Sequence, residues 1–450
     1  MKQADVVIIG GSAAGVTAAI TVRRHYSNKK VLLVRKEKQV LIPCGIPYIF
    51  GTLGSPEKNL IPDSLLEKND VELLVSEVTS IDRDSKVVIT QDGQLSYDRL
   101  ILATGSTPAK PPIPGIDLEG VFDIRKDVAY LRTLQQHLQE AKDVVIIGGG
   151  FIGIEFADEI NKAGKKKITI VEIAPFCLSL SYDQEFCTEM EQLLASRGVT
   201  VRTSSTVERI SGNGRTESVQ IKDGSPVKAD VVILGVGTVA NVRLAKEAGL
   251  RIGNTGGVAV DRTMQTSDPC IFACGDCTEK ISFFGGRASQ LKLASIAELE
   301  ARIAGANIFG IRRESDGTVG VWSTAVGDLA IGTAGLTESM AKDRGYPVVC
   351  ASVEGPNRHP GAMPGAAQTK VKLVFEARSQ VILGGQARGG DPVGEMINII
   401  AACVQKRMTA EDIATFQMGT HPALTASPIA YPLVNAAELA ISQMPTTLHG

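Results

Sequence analysis

No excess of charge of either sign marks this chain. Its 450 residues hold 47 basic and 49 acidic side chains, a net charge of -2. The two signs are interspersed, so there is no basic face and no expectation of nucleic-acid binding. Long apolar runs are also missing. The most apolar stretches are broken by acids, as at Glu155, Asp158 and Glu159, so no membrane span is expected. At the amino end there is no basic n-region followed by an apolar h-region and a cleavage site. Met1-Lys2-Gln3-Ala4 passes directly into Asp5-Val6-Val7-Ile8-Ile9, and no secretory signal is expected. The eight cysteines lack framework spacing, which fits a reducing cytoplasm. Length alone sets an expectation of two to four domains.

Cys44 has no nearby partner. It lies in Ile42-Pro43-Cys44-Gly45-Ile46-Pro47-Tyr48, with Ile49 at the second position of a CxxxxC dithiol, and the next cysteine is Cys177. A sulfur working here works singly, through a mixed disulfide, a persulfide or a sulfenic acid. Cys270, Cys274 and Cys277 are spaced by three and then two residues, with no second half-site nearby. They read as small buried residues of a strand and turn rather than as a metal knuckle, and no metal is expected.

Two strand–glycine turn–helix units are present. The first runs from Val6–Ile9 through Gly10-Gly11-Ser12-Ala13-Ala14-Gly15 into a helix ending near His25. Gly10 permits a tight turn, Gly15 lets the helix pack on the strand, and Ser12 replaces the middle glycine of a GxGxxG. A pyrophosphate would rest on the helix N-terminus, with Ala13 and Ala14 in its first turn. At the tip of the next strand an acid is expected to meet a ribose. Arg35 and Lys36 stand there, and the acid comes at Glu37. Either Glu37 reaches back or the adenosine is held another way.

The second unit carries the full motif. Val144–Ile147 leads into Gly148-Gly149-Gly150-Phe151-Ile152-Gly153, and the following strand, Ile168–Val171, ends at Glu172, nineteen residues beyond Gly153. A carboxylate there accepts from a ribose 2′-OH and repels a 2′-phosphate, which favours NADH over NADPH. Gly148, Gly150, Phe151, Ile152, Gly153, Glu172 and, by position, Gly235 form the expected dinucleotide site. Two nucleotide sites and one cysteine suggest a relay from nicotinamide to flavin to sulfur.

These motifs, with two more segments, resemble the pyridine nucleotide–disulfide oxidoreductases over essentially the whole chain. Leu100-Ile101-Leu102-Ala103-Thr104-Gly105-Ser106 resembles the family's ATG segment, which closes the first FAD half. Ile271-Phe272-Ala273-Cys274-Gly275-Asp276 resembles its later flavin segment, whose acid, here Asp276, binds the ribityl chain. The resemblance implies FAD and NADH as cofactors. FAD would be met by Gly10, Ser12, Ala13, Ala14, Gly15, Arg35, Lys36, Ala103, Thr104, Gly105 and Asp276. The lone cysteine is similar to the single-cysteine branch, which holds coenzyme A disulfide reductases, polysulfide and persulfide reductases, and NADH oxidases and peroxidases. Cys-Gly-Ile-Pro-Tyr is closer to the disulfide and persulfide reducers.

Coenzyme A binders of that branch carry basic residues along the first helix. Arg23 and Arg24 match the later ones, and Thr21 replaces an earlier one. Their Tyr-Tyr-Pro-Gly-Ala segment is here Arg358-His359-Pro360-Gly361-Ala362. Thr420-His421-Pro422-Ala423-Leu424-Thr425 resembles the His-Pro segment that two-cysteine members offer across a dimer interface as acid/base, but the orienting Glu is Ala426. His421 is the expected acid/base, with His359 behind it, while His25, His137 and His449 read as surface residues.

The expected fold class is α/β: two Rossmann-like dinucleotide-binding domains plus an α+β dimerisation domain. The first FAD part is placed at 1–112, the NAD domain at 113–242, the second FAD part at 243–318 and the C-terminal domain at 319–450. A helix is expected over Ser289–Asn307, and a last helix over Glu395–Lys406. The expected activity is FAD-dependent transfer of electrons from NADH through Cys44 to a disulfide, polysulfide or persulfide, by a cytoplasmic homodimer. The alternatives are an NADH oxidase or peroxidase cycling through a sulfenic acid, and a flavoprotein electron carrier without sulfur chemistry.

Overall fold

The computed structural model describes residues 2–222 and 224–444, and His449 lies outside them. The strand Lys2–Ile9 is the centre of the first unit. Val6, Val7 and Ile8 are fully buried, as a parallel strand covered on both faces demands. It runs parallel to Val31–Arg35, with Val6 opposite Val31, and to Gly93–Leu102, with Ile9 opposite Leu102. Glu72–Val75 and Ile271–Ala273 extend the parallel set on either side. The helix Ala13–His25 lies against the helix Ala294–Asn307 through small residues. A Cβ on Gly305 would come within 2.9 Å of the Ala18 carbonyl and of Thr21.

The second unit is a five-stranded parallel sheet in the order Val121–Asp123, Val231–Leu234, Asp143–Ile147, Lys167–Val171, Thr200–Arg202. The chain passes between the two units along Ser106–Pro108 and Thr238–Ala240, which pair antiparallel. The third unit is a five-stranded antiparallel sheet in the order Val321–Val326, Leu329–Gly335, Ile382–Gly389, Gln368–Glu376, Val348–Pro356. The helices Val393–Gln405 and Pro432–Gln443 supply Ile397, Ile400, Leu433 and Ala436 to its core. The α/β fold class with two Rossmann-like units and an α+β C-terminal unit is thus the observed one.

Three expectations need correction. Residues 289–293 are not helical: Ala288–Ser289 pairs with Lys280–Ile281, and the helix begins at Ala294. The helix at Val393–Gln405 is not the last, because Ala410–Ala414 and Pro432–Gln443 follow. Pro432 stands at the start of that final helix, where its missing N–H and fixed φ are no handicap. His137 is not a free surface residue: its ring packs edge-on against Phe122, 5.1 Å between centroids, and its Nδ1 lies 2.9 Å from the Thr133 carbonyl.

One helix, Phe151–Lys162, fastens the three units together. Glu155, Asp158 and Glu159 share a face at i, i+3 and i+4. Glu159 accepts from the Thr52 N–H (2.7 Å) and hydroxyl (3.0 Å) of the first unit. Asp158 accepts from Arg197 at 3.1 Å and from the Gly327 N–H at 3.4 Å. Glu155 accepts from the Thr324 hydroxyl of the C-terminal sheet at 2.8 Å. A second joint forms at Asp183, which accepts from Lys372 Nζ (3.0 Å), Gln386 Nε2 (2.5 Å) and the Ser339 N–H (3.1 Å).

Candidate active site

Both glycine turns are backbone cradles. Gly10 has φ +114, and a Cβ there would stand 2.1 Å from the Ala103 carbonyl oxygen; one on Gly15 would stand 1.8 Å from the Gly10 carbonyl oxygen. Gly148 has φ +106, with the Gly235 carbonyl oxygen 2.6 Å from its would-be Cβ, and Gly153 meets the Gly148 carbonyl oxygen at 1.9 Å in the same way. Each turn opens a helix whose N-cap, Ser12 or Gly150, makes no side-chain cap bond. The first N–H groups of both helices are left for an anion, and nothing lies within 4 Å of the Cβ that Gly150 lacks. These turns fit dinucleotide pyrophosphates. Ala13, Ala14, Phe151 and Ile152 lie in the two first turns, and the Phe151 ring stands 5.9 Å from Trp322.

The segments Leu100–Ser106 and Ile271–Asp276 meet in space. Thr104 Oγ1 donates to the Asn241 carbonyl at 2.7 Å, and the Asn241 N–H donates to Gly105 at 2.9 Å. Asp276 accepts from Ser106 Oγ at 2.8 Å. Cys274 and Cys277 are buried, and the Cys277 thiol points at the Cys274 and Leu102 carbonyls.

Arg35 is buried beneath Gly11, whose missing Cβ would lie 2.4 Å from Arg35 Cδ. Its guanidinium donates to both oxygens of Asp63 (2.7 and 2.8 Å), to the Glu37 carbonyl at 2.8 Å and to the Lys38 carbonyl at 3.0 Å. With its fork taken by Asp63, the Arg35 side chain builds the floor of the turn. Lys36 is exposed. Glu172 accepts from the Gly149 N–H at 2.5 Å and from the Ala174 N–H at 2.7 Å, so its carboxylate is fixed at the second turn.

Cys44 sits in the 3₁₀ turn Pro43–Gly45. The turn is pinned by the buried Asn59, which donates to the Ile42 carbonyl at 2.9 Å and whose Oδ1 would be 2.0 Å from a Cβ on Gly45. Of the eight free cysteines Cys44 is exposed, and the others are buried or half-buried. Burial pushes its thiol pKa up, and the charges of Glu155 and Asp276 add to this while Lys126 opposes. The chain's own charges therefore favour the thiol, and a base is needed to make the nucleophile. Glu155 escaped the sequence reading, where it served only to break an apolar run. Its signal was there: three acids on one face of a mostly apolar helix must find partners.

Burial also pushes the Glu155 carboxyl up, to about 7, with the Thr324 hydroxyl opposing and Glu159 adding. The folded state then holds a proton that the unfolded state releases near 4.5. Stability is unaffected below that value, falls as pH rises toward about 7, and stays lower above. Glu155→Gln is expected to leave stability unchanged at pH 4 and to raise it at pH 8 by up to about 3 kcal/mol. Chemical denaturation at both pH values checks this.

His421 is exposed. Its Nδ1 accepts from the Ala423 N–H at 3.2 Å, which leaves the proton of the neutral ring on Nε2. A backbone amide thus orients the ring where the family's Glu is replaced by the buried Ala426. His359 Nδ1 faces the Thr425 carbonyl at 3.0 Å, and its N–H donates to Pro422 at 3.1 Å, so the two histidine segments are bound together. Thr21 is buried against the Gly305 helix, and Arg23 donates to the Ser27 and Lys29 carbonyls at 2.7 and 2.6 Å. Arg24 is exposed.

Residues 4–301 match the pyridine nucleotide-disulphide oxidoreductase family, and residues 321–429 match its dimerisation domain. The chain belongs to this family. The oxidoreductase is 32% identical to an NADH oxidase of Methanocaldococcus jannaschii, over 97% of this chain and 99% of that protein. It is 34% identical to an NAD(P)H coenzyme A polysulfide/persulfide reductase of Pyrococcus horikoshii, over 92% and 93%. Its fold matches the solved NAD-dependent persulfide reductase from A. fulgidus with a TM-score of 0.89 and 31% identity, covering 97% of this chain and 83% of that one. The oxidoreductase uses FAD and NAD(P)H. Among the described residues no helix is long and apolar enough to cross a membrane.

Proposed function

We propose that the chain is a homodimeric, cytoplasmic, NADH-driven reductase of disulfide, polysulfide or persulfide sulfur, with Cys44 as the single redox thiol. The observation that carries this reading is an exposed thiol in a pinned turn, with no second cysteine in position to close a disulfide. FAD, when bound, takes a hydride from NADH and returns its two electrons to sulfur. Cys44, once deprotonated, attacks the outer sulfur of R–S–SH, and the bond to the R-bearing sulfur breaks. RSH leaves with a proton supplied by His421, and Cys44 is left as a persulfide. Two electrons then cleave that S–S bond, restoring the thiolate and releasing hydrosulfide. The homodimer reading draws on the dimerisation domain and on the exposed Leu424 (68%) within the His421 segment and Ile429 (88%) just after it. Eight free thiols suit a reducing compartment.

Under anaerobic conditions, with a persulfide present, one hydrosulfide should form per NADH consumed. NADH consumption that needs O2 or peroxide instead would favour the oxidase reading, which the M. jannaschii relative keeps in view. Glu172, held by two backbone N–H groups, is assigned to the ribose 2′-OH. Glu172→Ala is expected to lower kcat/KM for NADH by about 1–3 kcal/mol in transition-state stabilisation and to narrow the preference over NADPH. Equal kcat/KM for the two nucleotides in the unmodified protein contradicts the assignment.

A further inference from the structure

The helix Phe151–Lys162 opens on the second glycine turn, and the C-terminal sheet lies along it rung by rung. On the strand Val321–Val326 the side chains of Trp322, Thr324 and Val326 share one face. Thr324 and Val326 are buried there, while Ser323 and Ala325 on the other face are exposed. Phe151 and Glu155 share a face of the helix, one turn apart. The steps match, at about 6 Å for four residues of helix and about 7 Å for two of strand. Phe151 meets Trp322, with ring centroids 5.9 Å apart and an interplanar angle of 72°. The Thr324 hydroxyl donates to Glu155 at 2.8 Å. Tyr182 backs the first rung: its ring is 6.0 Å from that of Phe151, and its hydroxyl donates at 3.2 Å to the carbonyl of Ile331, the residue paired with Thr324.

Trp322 is the one tryptophan of the chain. Gly320 makes room for it, since a Cβ there would lie 2.6 Å from the indole Cζ3. The buried indole N–H has no acceptor among the described residues, so packing rather than hydrogen bonding accounts for an aromatic of this size. The tilted, edge-on approach to Phe151 is a favourable one at this separation. Phe151 is thus held from outside its own unit.

Phe151 is also the first residue of its helix, after the N-cap Gly150, and its N–H is among those left free for a pyrophosphate. Were its ring loose, the helix start would have to be ordered as the dinucleotide arrives, at a cost taken from affinity. We propose that Trp322 is a positioning residue for NADH. By packing on Phe151 it fixes, before binding, the helix start on which the pyrophosphate rests, so the C-terminal unit completes the NADH site. The proposal rests on the second glycine turn being that site, a reading that fails separately if Glu172→Ala leaves NAD+ affinity unchanged.

The test is calorimetric titration of the oxidised, FAD-loaded protein with NAD+, beside steady-state kinetics with NADH. Trp322→Ala is expected to raise the NAD+ Kd about tenfold, the upper end for an aromatic pair. KM for NADH should rise in parallel, with FAD content and KM for the persulfide unchanged. Trp322→Phe keeps an aromatic partner for Phe151 and should stay within about threefold of the parent. In a Phe151→Leu background Trp322→Ala should add less than about twofold, because its effect passes through Phe151. A Trp322→Ala Kd within about twofold of the parent overturns the proposal, as does a Phe variant as weak as Ala. An undiminished effect of Trp322→Ala in the Phe151→Leu background overturns it too. If the Ala variant loses FAD, Trp322→Leu is read in its place by the same limits, and loss of FAD from both gives Trp322 to the fold alone and overturns the proposal.

Discussion

Cys44→Ser is expected to abolish reduction of persulfide and disulfide while leaving NADH-to-dye electron transfer intact. Bound FAD would take its hydride from NADH at the second glycine turn, a transfer that needs no thiol. A serine oxygen cannot form the S–S bond on which the sulfur step depends, so the loss should be complete rather than graded. Where Cys44 is deprotonated beside bound oxidised flavin, a long-wavelength charge-transfer band is also expected, and the Ser variant should lack it. Steady-state assays with a persulfide and with an artificial dye, run on both proteins, check this. Undiminished sulfur reduction by the Ser variant would remove Cys44 from the mechanism.

The next largest effect is expected at His421. Burial and nearby carboxylates raise the Cys44 thiol pKa, so a base must take its proton and an acid must protonate the departing thiol. Imidazole can do both near neutral pH. The neutral His421 ring carries its proton on Nε2, because Nδ1 is occupied by the Ala423 N–H. In that tautomer Nε2–H can hydrogen-bond the departing sulfur, while the proton itself is given by the imidazolium form of the ring. His421→Ala is expected to slow the sulfur step by about a hundredfold, the low end for general acid–base catalysis, and to spare flavin reduction by NADH. In a homodimer where His421 serves the partner's thiol, mixing His421→Ala with Cys44→Ser should restore activity at one intact site. A His421→Ala variant with the unmodified rate would leave the proton transfer to His359 or water.

The features legible in the sequence are those that depend on near neighbours in the chain. Gly10 and Gly15, or Gly148 and Gly153, meet within a single strand–turn–helix, so spacing alone reports the turn. The Thr104–Gly105 and Gly275–Asp276 segments are far apart, and their joining could be read only by resemblance. What stayed hidden was long-range pairing of charges. The partners of Arg35 and of Lys372 lie 28 and 189 residues away, and no local pattern names Asp63 or Asp183. At a strand tip Arg35 reads as a ligand contact, and only the fold shows that Asp63 occupies its fork. Residues 289–293 are drawn out of the helix by the short hairpin of Ala288–Ser289 with Lys280–Ile281, a pairing that no local pattern shows, and the final helix Pro432–Gln443 lies outside the expected set.

In the proposed reaction one sulfur, that of Cys44, carries the substrate's sulfur between attack and reduction. The direct measurement is a single anaerobic turnover of oxidised protein with excess persulfide, quenched, alkylated and read by mass spectrometry of the Cys44 peptide. The account expects one added sulfur atom on Cys44, which disappears when NADH is supplied before the quench. A Cys44 peptide that never gains sulfur while hydrosulfide is still released on NADH addition would contradict it.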